Sequence, residues 1–225
     1  GAQYVHTFDK CFFMPSDLPA GLEYNRDRLK DNMWGYNRHT DQTVNIYSAF
    51  LQNEWKNDRW GILIGGRLDK HNMVDNVIFS PRANLRFNPT QNINLRLSYS
   101  SGFRAPQAFD EDMHIENVGG TVAMIERAKD LKEEKSQSFS VSADMYHRFG
   151  AFQTNLLIEG FYTRLTDVFV LGKPYDRGDG ILVKTRSNGP GAKVMGLTLE
   201  GKVAYLSILQ IQAGLTLQRS RDDEP

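Results

Sequence analysis

The sequence predicts an all-β protein: an antiparallel up-and-down meander of about eight strands, forming part of a transmembrane β-barrel. Three observations carry this. Apolar residues recur with period two over runs of about ten residues, the connections between runs alternate short and long, and no apolar stretch approaches the roughly 18 residues of a membrane helix. Period two sends successive side chains to opposite faces, so each run has one apolar and one polar side. A chain of this kind hides its membrane strands in short segments, and its lumen-facing half keeps overall hydropathy low.

The runs follow in order. In residues 43–56, Tyr47, Ala49, Leu51 and Trp55 alternate with Ser48, Gln52 and Glu54, and Asn57, Asp58 and Arg59 turn the chain. Residues 60–71 set Trp60, Ile62, Ile64 and Leu68 against Gly61, Gly65, Arg67 and Asp69. Residues 78–88 oppose Leu85 and Phe87 to Asn84, Arg86 and Asn88, and a short turn follows at 89–92. The fourth run has the cleanest pattern: Ile93, Leu95, Leu97 and Tyr99 face one way, Asn94, Arg96, Ser98 and Ser100 the other. Residues 135–149 alternate Phe139, Val141, Ala143 and Met145 with Ser138, Ser140, Ser142 and Asp144 before the turn at Gly150-Ala151. Residues 152–170 return with Phe152, Leu156, Ile158 and Tyr162 opposite Gln153, Asn155 and Glu159. Residues 181–205 are the seventh run. Residues 207–219 are the eighth, with Leu209, Ile211, Ala213, Leu215 and Leu217 against Gln210, Gln212, Thr216 and Gln218.

Connections at 57–59, 89–92, 150–151 and about 205–207 are short, whereas 72–77, 104–134 and 172–180 are mostly longer. In a meander this alternation gathers all short turns at one end, as in outer-membrane barrels with short periplasmic turns and long external loops. The expected topology therefore puts Thr90 and Gly150 in the periplasm and 104–134 outside. Aromatics near run ends, among them Trp55, Trp60, Phe87, Tyr99, Phe149 and Phe152, suit interfacial girdles. A soluble β-sandwich or lipocalin-like barrel alternates as well.

Composition narrows the function. With 225 residues, 40% hydrophobic and 24% charged, the chain suffices for one sizeable domain. Lys+Arg and Asp+Glu both number 27, so no net field draws the chain to nucleic acid or anionic lipid, and no nucleic-acid partner is expected. The single cysteine, Cys11, excludes an internal disulfide framework and a cysteine zinc site. No nucleophile elbow, P-loop, dinucleotide fingerprint or metalloprotease motif occurs, and the five histidines show no ligand spacing. Neither an enzyme, a metal centre nor a cofactor is expected.

Residues 80–112, SPRANLRFNPTQNINLRLSYSSGFRAPQAFDED, resemble the barrel of TonB-dependent outer-membrane receptors. FLQNEWKND (50–58), GGRLDKH (65–71), DLKEEKSQSFSVSADMY (130–146), LIEGFYTRLTDVF (157–169) and VMGLTLEG (194–201) resemble the same family in the same order. Two departures occur in the loop before 135: Ala128-Lys129 stands where the family commonly has asparagine-proline, and Glu133 where it has proline. The resemblance implies a gated transporter in the outer membrane of a Gram-negative bacterium, in contact with lipid, binding a scarce small-molecule nutrient such as an iron-siderophore, cobalamin or haem. It implies coupling to the TonB system through a plug domain. Family barrels have about 22 strands, so the expectation is a barrel segment over 43–225 without plug, preceded at 1–42 by an external loop or strand remnant. Self-association of such a segment through open edges is expected. The alternative reading is a structural or general pore-forming barrel without specific substrate.

Candidate ligand-binding residues lie near the GFRAP run. Arg104 is placed at the barrel mouth, where it meets an anionic ligand or simply belongs to a strand end closed by Pro106. Asp110, Glu111, Asp112 and Glu116 make the following loop acidic without EF-hand spacing. His114 lies between the FRAP stretch (103–106) and Asp130-Leu131, where the resemblance implies an iron ligand in haem-transporting members of the family; both stretches also occur in receptors without haem, and the expectation is that His114 is dispensable. Arg67, Asp69, Arg86, Arg96, Asp144 and Glu159 all fall on lumen-facing positions.

Overall fold

The computed structural model describes residues 1–36, 38–106, 116–118, 121–178 and 180–223. Ten strands among them form one antiparallel sheet, the wall: β1 (Ala2–Cys11), β2 (Met14–Met33), β3 (Arg38–Lys56), β4 (Trp60–His71), β5 (Ile78–Thr90), β6 (Ile93–Arg104), β9 (Glu134–Phe149), β10 (Phe152–Thr166), β14 (Ala192–Tyr205) and β15 (Leu209–Asp222), neighbours in that order. A second, smaller sheet is built from the two long connections. It comprises β7 (Glu116–Val118) and β8 (Thr121–Arg127) from the first, and β11 (Phe169–Leu171), β12 (Tyr175–Asp176) and β13 (Leu182–Asn188) from the second.

The wall is a meander whose register keeps like faces together. One row runs Leu85, Leu97, Val141, Gly160, Leu197, Leu217 across six strands. On the opposite face, Ser100, Ser138 and Thr163 share a row, with Ser138 and Thr163 hydroxyls 3.0 Å apart. The apolar face of the wall is uncovered: Leu97 is 52% and Val141 58% exposed, and Leu197, Leu215 and Leu217 are exposed too. A sheet that turns its apolar face outward and its serines, arginines and carboxylates inward suits lipid on one side and water on the other. Paired aromatic rings bound that face at both ends, Trp60–Phe87 (stacked) and Phe152–Tyr205 (tilted) at the short-turn end, Tyr24–Tyr47 (stacked) and Tyr99–Phe139 (tilted) at the other. From Tyr47 to Trp55 the strand advances about 27 Å, close to the height of an outer-membrane apolar band.

Three expectations need correction. Residues 1–42, expected as an external loop or strand remnant, are strand nearly throughout: they form β1, β2 and the start of β3, so the sheet edges are β1 and β15 rather than the run at 43–56. Above Tyr24, β2 leaves the apolar band, so both faces are wet and period two disappears although Arg26 to Met33 stay in register with β3. Residues 181–205 are two strands in different sheets, because Gly189-Pro190-Gly191 interrupts the ladder and Pro190 has no N–H to give. The run at 152–170 ends at Thr166, where Asp167 takes φ 54° and turns the chain toward β11.

Five tight turns of the wall fall at one end, residues 12–13, 57–59, 91–92, 150–151 and 206–208, with Gly150 at φ 56° in the left-handed region, while β2 and β3 are joined at the other end through a 3-10 turn at Trp34–Tyr36. The connection between β6 and β9 and that between β10 and β14 meet at the other end as the small sheet. There the packing is conventional: Met124 is 1% and Val183 0% exposed, and Val74, Ile78 and Ala105 form a buried cluster against Phe103.

Candidate functional site

The polar face of the wall carries the charges. Every lumen-facing residue predicted from the sequence lies on it, and the hydrogen bonds show two groups. Near the long-loop end, Arg67 donates to Asp69 Oδ1 (2.8 Å), Glu23 Oε2 (3.0 Å) and Ser48 Oγ (2.8 Å), while Ser48 also donates to Asp69. Three strands, β2, β3 and β4, are thereby cross-linked through one guanidinium. Lower down, a depression is lined by Glu54, Lys56, Arg86, Arg96, Ser140 and Glu159 from β3, β5, β6, β9 and β10. Arg86 reaches the Asn57 carbonyl (3.1 Å) and Arg96 the Asn94 side chain (2.7 Å), so both guanidiniums are positioned by neutral groups and keep their charge available to an anion.

At the mouth, the small sheet caps the wall. β13 runs parallel to β8, joining connections that are far apart in sequence. The Asn188 side chain fixes this arrangement: it accepts from Lys132 N (2.8 Å) and donates to the Lys132 (3.1 Å) and Asp167 (2.8 Å) carbonyls. Arg127 donates to Gln42 Oε1 (2.8 Å) and to the Pro106 carbonyl (3.0 Å), and Glu134 accepts from Phe169 N (2.8 Å). Sequence patterning gives no signal for Asn188, Arg127 or Glu134, because each bonds to groups remote in sequence, most of them backbone.

Arg104 ends β6 with its guanidinium carbon 5.6 Å from the Phe169 ring centroid, a cation–π distance, opposite Glu134 in the ladder. It is therefore held between the wall and the cap. Pro106 and Ala105 are buried, and Pro106 closes the strand as its missing N–H requires. Asp110, Glu111, Asp112 and His114 lie outside the described residues. His71 is fully buried and accepts a hydrogen bond at Nδ1 from Met73 N (3.1 Å), which makes it part of the turn at 72–77. No group of three potential metal ligands occurs among the described residues.

Beyond the apolar band, Arg28 forks onto Asp41 with Nε–Oδ1 3.1 Å and a second nitrogen 2.7 Å from Oδ2. That hydrogen bonding holds the Asp41 carboxyl below the ordinary carboxylate range.

Comparison with known proteins agrees with this architecture. Residues 3–225 match the family model for the TonB dependent receptor-like β-barrel. Among solved structures, the siderophore receptor PirA from Pseudomonas aeruginosa superposes with a TM-score of 0.82 at 17% identity, over 98% of this chain and 42% of that one. The FrpB iron transporter from Neisseria meningitidis gives 0.63 at 15% identity, over 96% and 34%. A probable hemoglobin and hemoglobin-haptoglobin-binding protein 3 from Haemophilus influenzae is 23% identical over 220 residues, 96% of this chain and 19% of that protein. The chain thus spans less than half the length of these relatives. With a full-length family match, an outward apolar face between two aromatic girdles and long connections gathered at one end, the chain belongs to the TonB-dependent receptor β-barrels of the Gram-negative outer membrane.

Proposed function

We propose that the ten-stranded wall is one arc of a larger barrel, and that with its cap it binds and admits a scarce iron-carrying solute, a ferric siderophore or haem, drawn inward by the TonB system through a plug. The observation that carries this reading is the coupling of a charged polar wall to a cap made from both long connections: a selective receptor needs an ordered mouth. The names of the relatives, siderophore receptor, iron transporter and hemoglobin-binding protein, support iron-carrying solutes over the other nutrients handled by this scaffold. Arg104, held between wall and cap, and Asp110, Asp112 and His114 in the adjoining loop are the proposed contacts on the external side. The same reading puts Thr90 and Gly150 in the periplasm.

The test is iron-limited growth of the host with the full-length receptor gene deleted and restored, on ferric siderophore or haemoglobin as sole iron source. Growth should require both the receptor and an intact energy-coupling system. Uptake that persists without energy coupling would identify a passive pore instead.

A further inference from the structure

The outward face of β2, β3 and β4 carries, at its external end, an arrangement that solute passage does not use. Leu22, Tyr24, Tyr47, Ala49, Leu68 and Val77 line a shallow apolar groove there. Its ridge is the stacked Tyr24–Tyr47 pair, centroids 4.9 Å apart, and the Tyr24 hydroxyl donates to Asn45 Oδ1 at 2.9 Å. A tyrosine oriented this way marks the level where acyl chains give way to polar headgroups.

Above that level the same face turns basic. Strand alternation brings Arg26, Arg28 and Lys30 to the outward side after Tyr24, the first about 7 Å beyond it, and all three are exposed. Lys70 follows Leu68 on β4 and borders the groove, its amine held by the Val74 and Asp75 carbonyls. The carboxylates nearby are Glu23, which lines the groove and pairs with Arg67; Asp41, forked by Arg28 and facing Lys30 across the ladder; and the exposed Asp75 in the adjoining turn. Arg26 and Lys30 make no ion pair among the described residues. In a chain of zero formal charge, this is a local concentration of cations directly above an acyl-sized groove.

We infer that this surface binds an anionic, phosphorylated, multi-acyl lipid of the outer leaflet, one acyl chain lying in the groove and phosphate meeting Arg26, Lys30 and Lys70. Charge complementarity selects this occupant: a neutral lipid satisfies the groove but leaves the cations unmatched, and a free anion does the reverse. The inference rests on the outward face being lipid-facing.

The full-length receptor, extracted in zwitterionic detergent, would be offered a bisphosphorylated hexa-acyl glucosamine disaccharide, its dephosphorylated form, phosphatidylglycerol or inorganic phosphate, with retention read by native mass spectrometry. Expected are retention of the bisphosphorylated lipid, about tenfold weaker retention without phosphates, and a loss of about tenfold or more in the Arg26→Ala/Lys30→Ala variant. Leu68→Trp, which fills the groove without touching charge, should also lower retention. Lys202→Ala, on the polar face near the short-turn end, should leave it unchanged. Equal retention with and without phosphate, or by the double variant, would overturn the site. Displacement by millimolar phosphate would reassign it to a free anion, and preferential retention of phosphatidylglycerol to a simple phospholipid. A Leu197→Trp reporter in vesicles with brominated acyl chains separates the two premises. Unquenched fluorescence defeats the lipid-facing reading itself, whereas quenching without glycolipid retention defeats only the site.

Discussion

The wall and the cap are both β-sheets of one chain, yet they obey opposite rules of burial. In the wall, Leu97, Val141, Leu197 and Leu217 stand exposed in rows while Ser98 and Ser140 face each other, hydroxyls 2.6 Å apart, on the other side. In the cap, Met124 and Val183 are sealed off as in any soluble protein. The difference teaches that the hydrophobic effect selects a partner medium, not a location: apolar side chains leave water either by packing on one another or by facing acyl chains. Regular ladders suffice for the wall because its outer partner is fluid. The cap, immersed in water, has to build its own core.

The largest expected effect tests this contrast within one strand. Leu97→Arg places a cation at mid-depth on the lipid face and should cost about 2–4 kcal/mol, read as a shift of the urea midpoint in lipid vesicles. Ser98→Arg, its neighbour on the polar face, should cost less than about 1 kcal/mol. Equal penalties would mean that the two faces share one solvent. In the cap, Met124→Ala should destabilise locally by about 2–4 kcal/mol. Hydrogen exchange would then accelerate in 121–127 and 182–188 while wall amides keep their protection. Accelerated exchange throughout the wall would show that the two sheets are one cooperative unit.

Asn188→Ala removes three hydrogen bonds, two of them between the connections, and should open the cap by about 1–3 kcal/mol. Protease cleavage within 167–191 should rise severalfold without loss of barrel assembly. A smaller, pH-dependent effect is expected at the tip of β2 and β3. Because Arg28 lowers the Asp41 pKa, the pair's contribution is complete above the ordinary aspartate value of 3.8 and is lost as pH falls through the lower folded value. Tip exchange measured from pH 6 down to pH 2 should increase only at the acid end, and Asp41→Asn should abolish that dependence. The smallest effect is assigned to His114→Ala, which should leave growth on haem unchanged; a large haem-specific loss would instead make His114 an iron ligand.

What the sequence discloses follows from the same contrast. Where a strand separates lipid from water, alternation is enforced residue by residue, and Ile93, Leu95, Leu97 and Tyr99 declare both the strand and its faces. Past Tyr24 that enforcement stops, so the upper part of β2, with Asp27, Arg28 and Lys30, reads as loop although it is paired strand. The cap is harder still. Its strands are short, β8 and β13 meet in parallel across two connections, and the residues that fix it, Asn188 and Arg127, bond to backbone groups that no local pattern reveals. Of the candidate site, the charges of the polar face were legible as a set, and Arg104 was legible as a residue at the end of a strand. Its stacking on Phe169 was not, because Phe169 reaches it only through the fold.

The parallel pairing of β8 with β13 also bears on the order of assembly. Wall hairpins such as β9–β10 close between residues a few positions apart at the turn, whereas Leu182 and Ala123 are about 60 positions apart. Loop-closure entropy delays such distant pairing until intervening strands have shortened the effective loop. Here those strands are β9 and β10, which must be zipped before the two connections arrive side by side. Formation of the cap is therefore expected as a late kinetic event, and a ligand that requires the cap discriminates mature receptors from half-assembled ones.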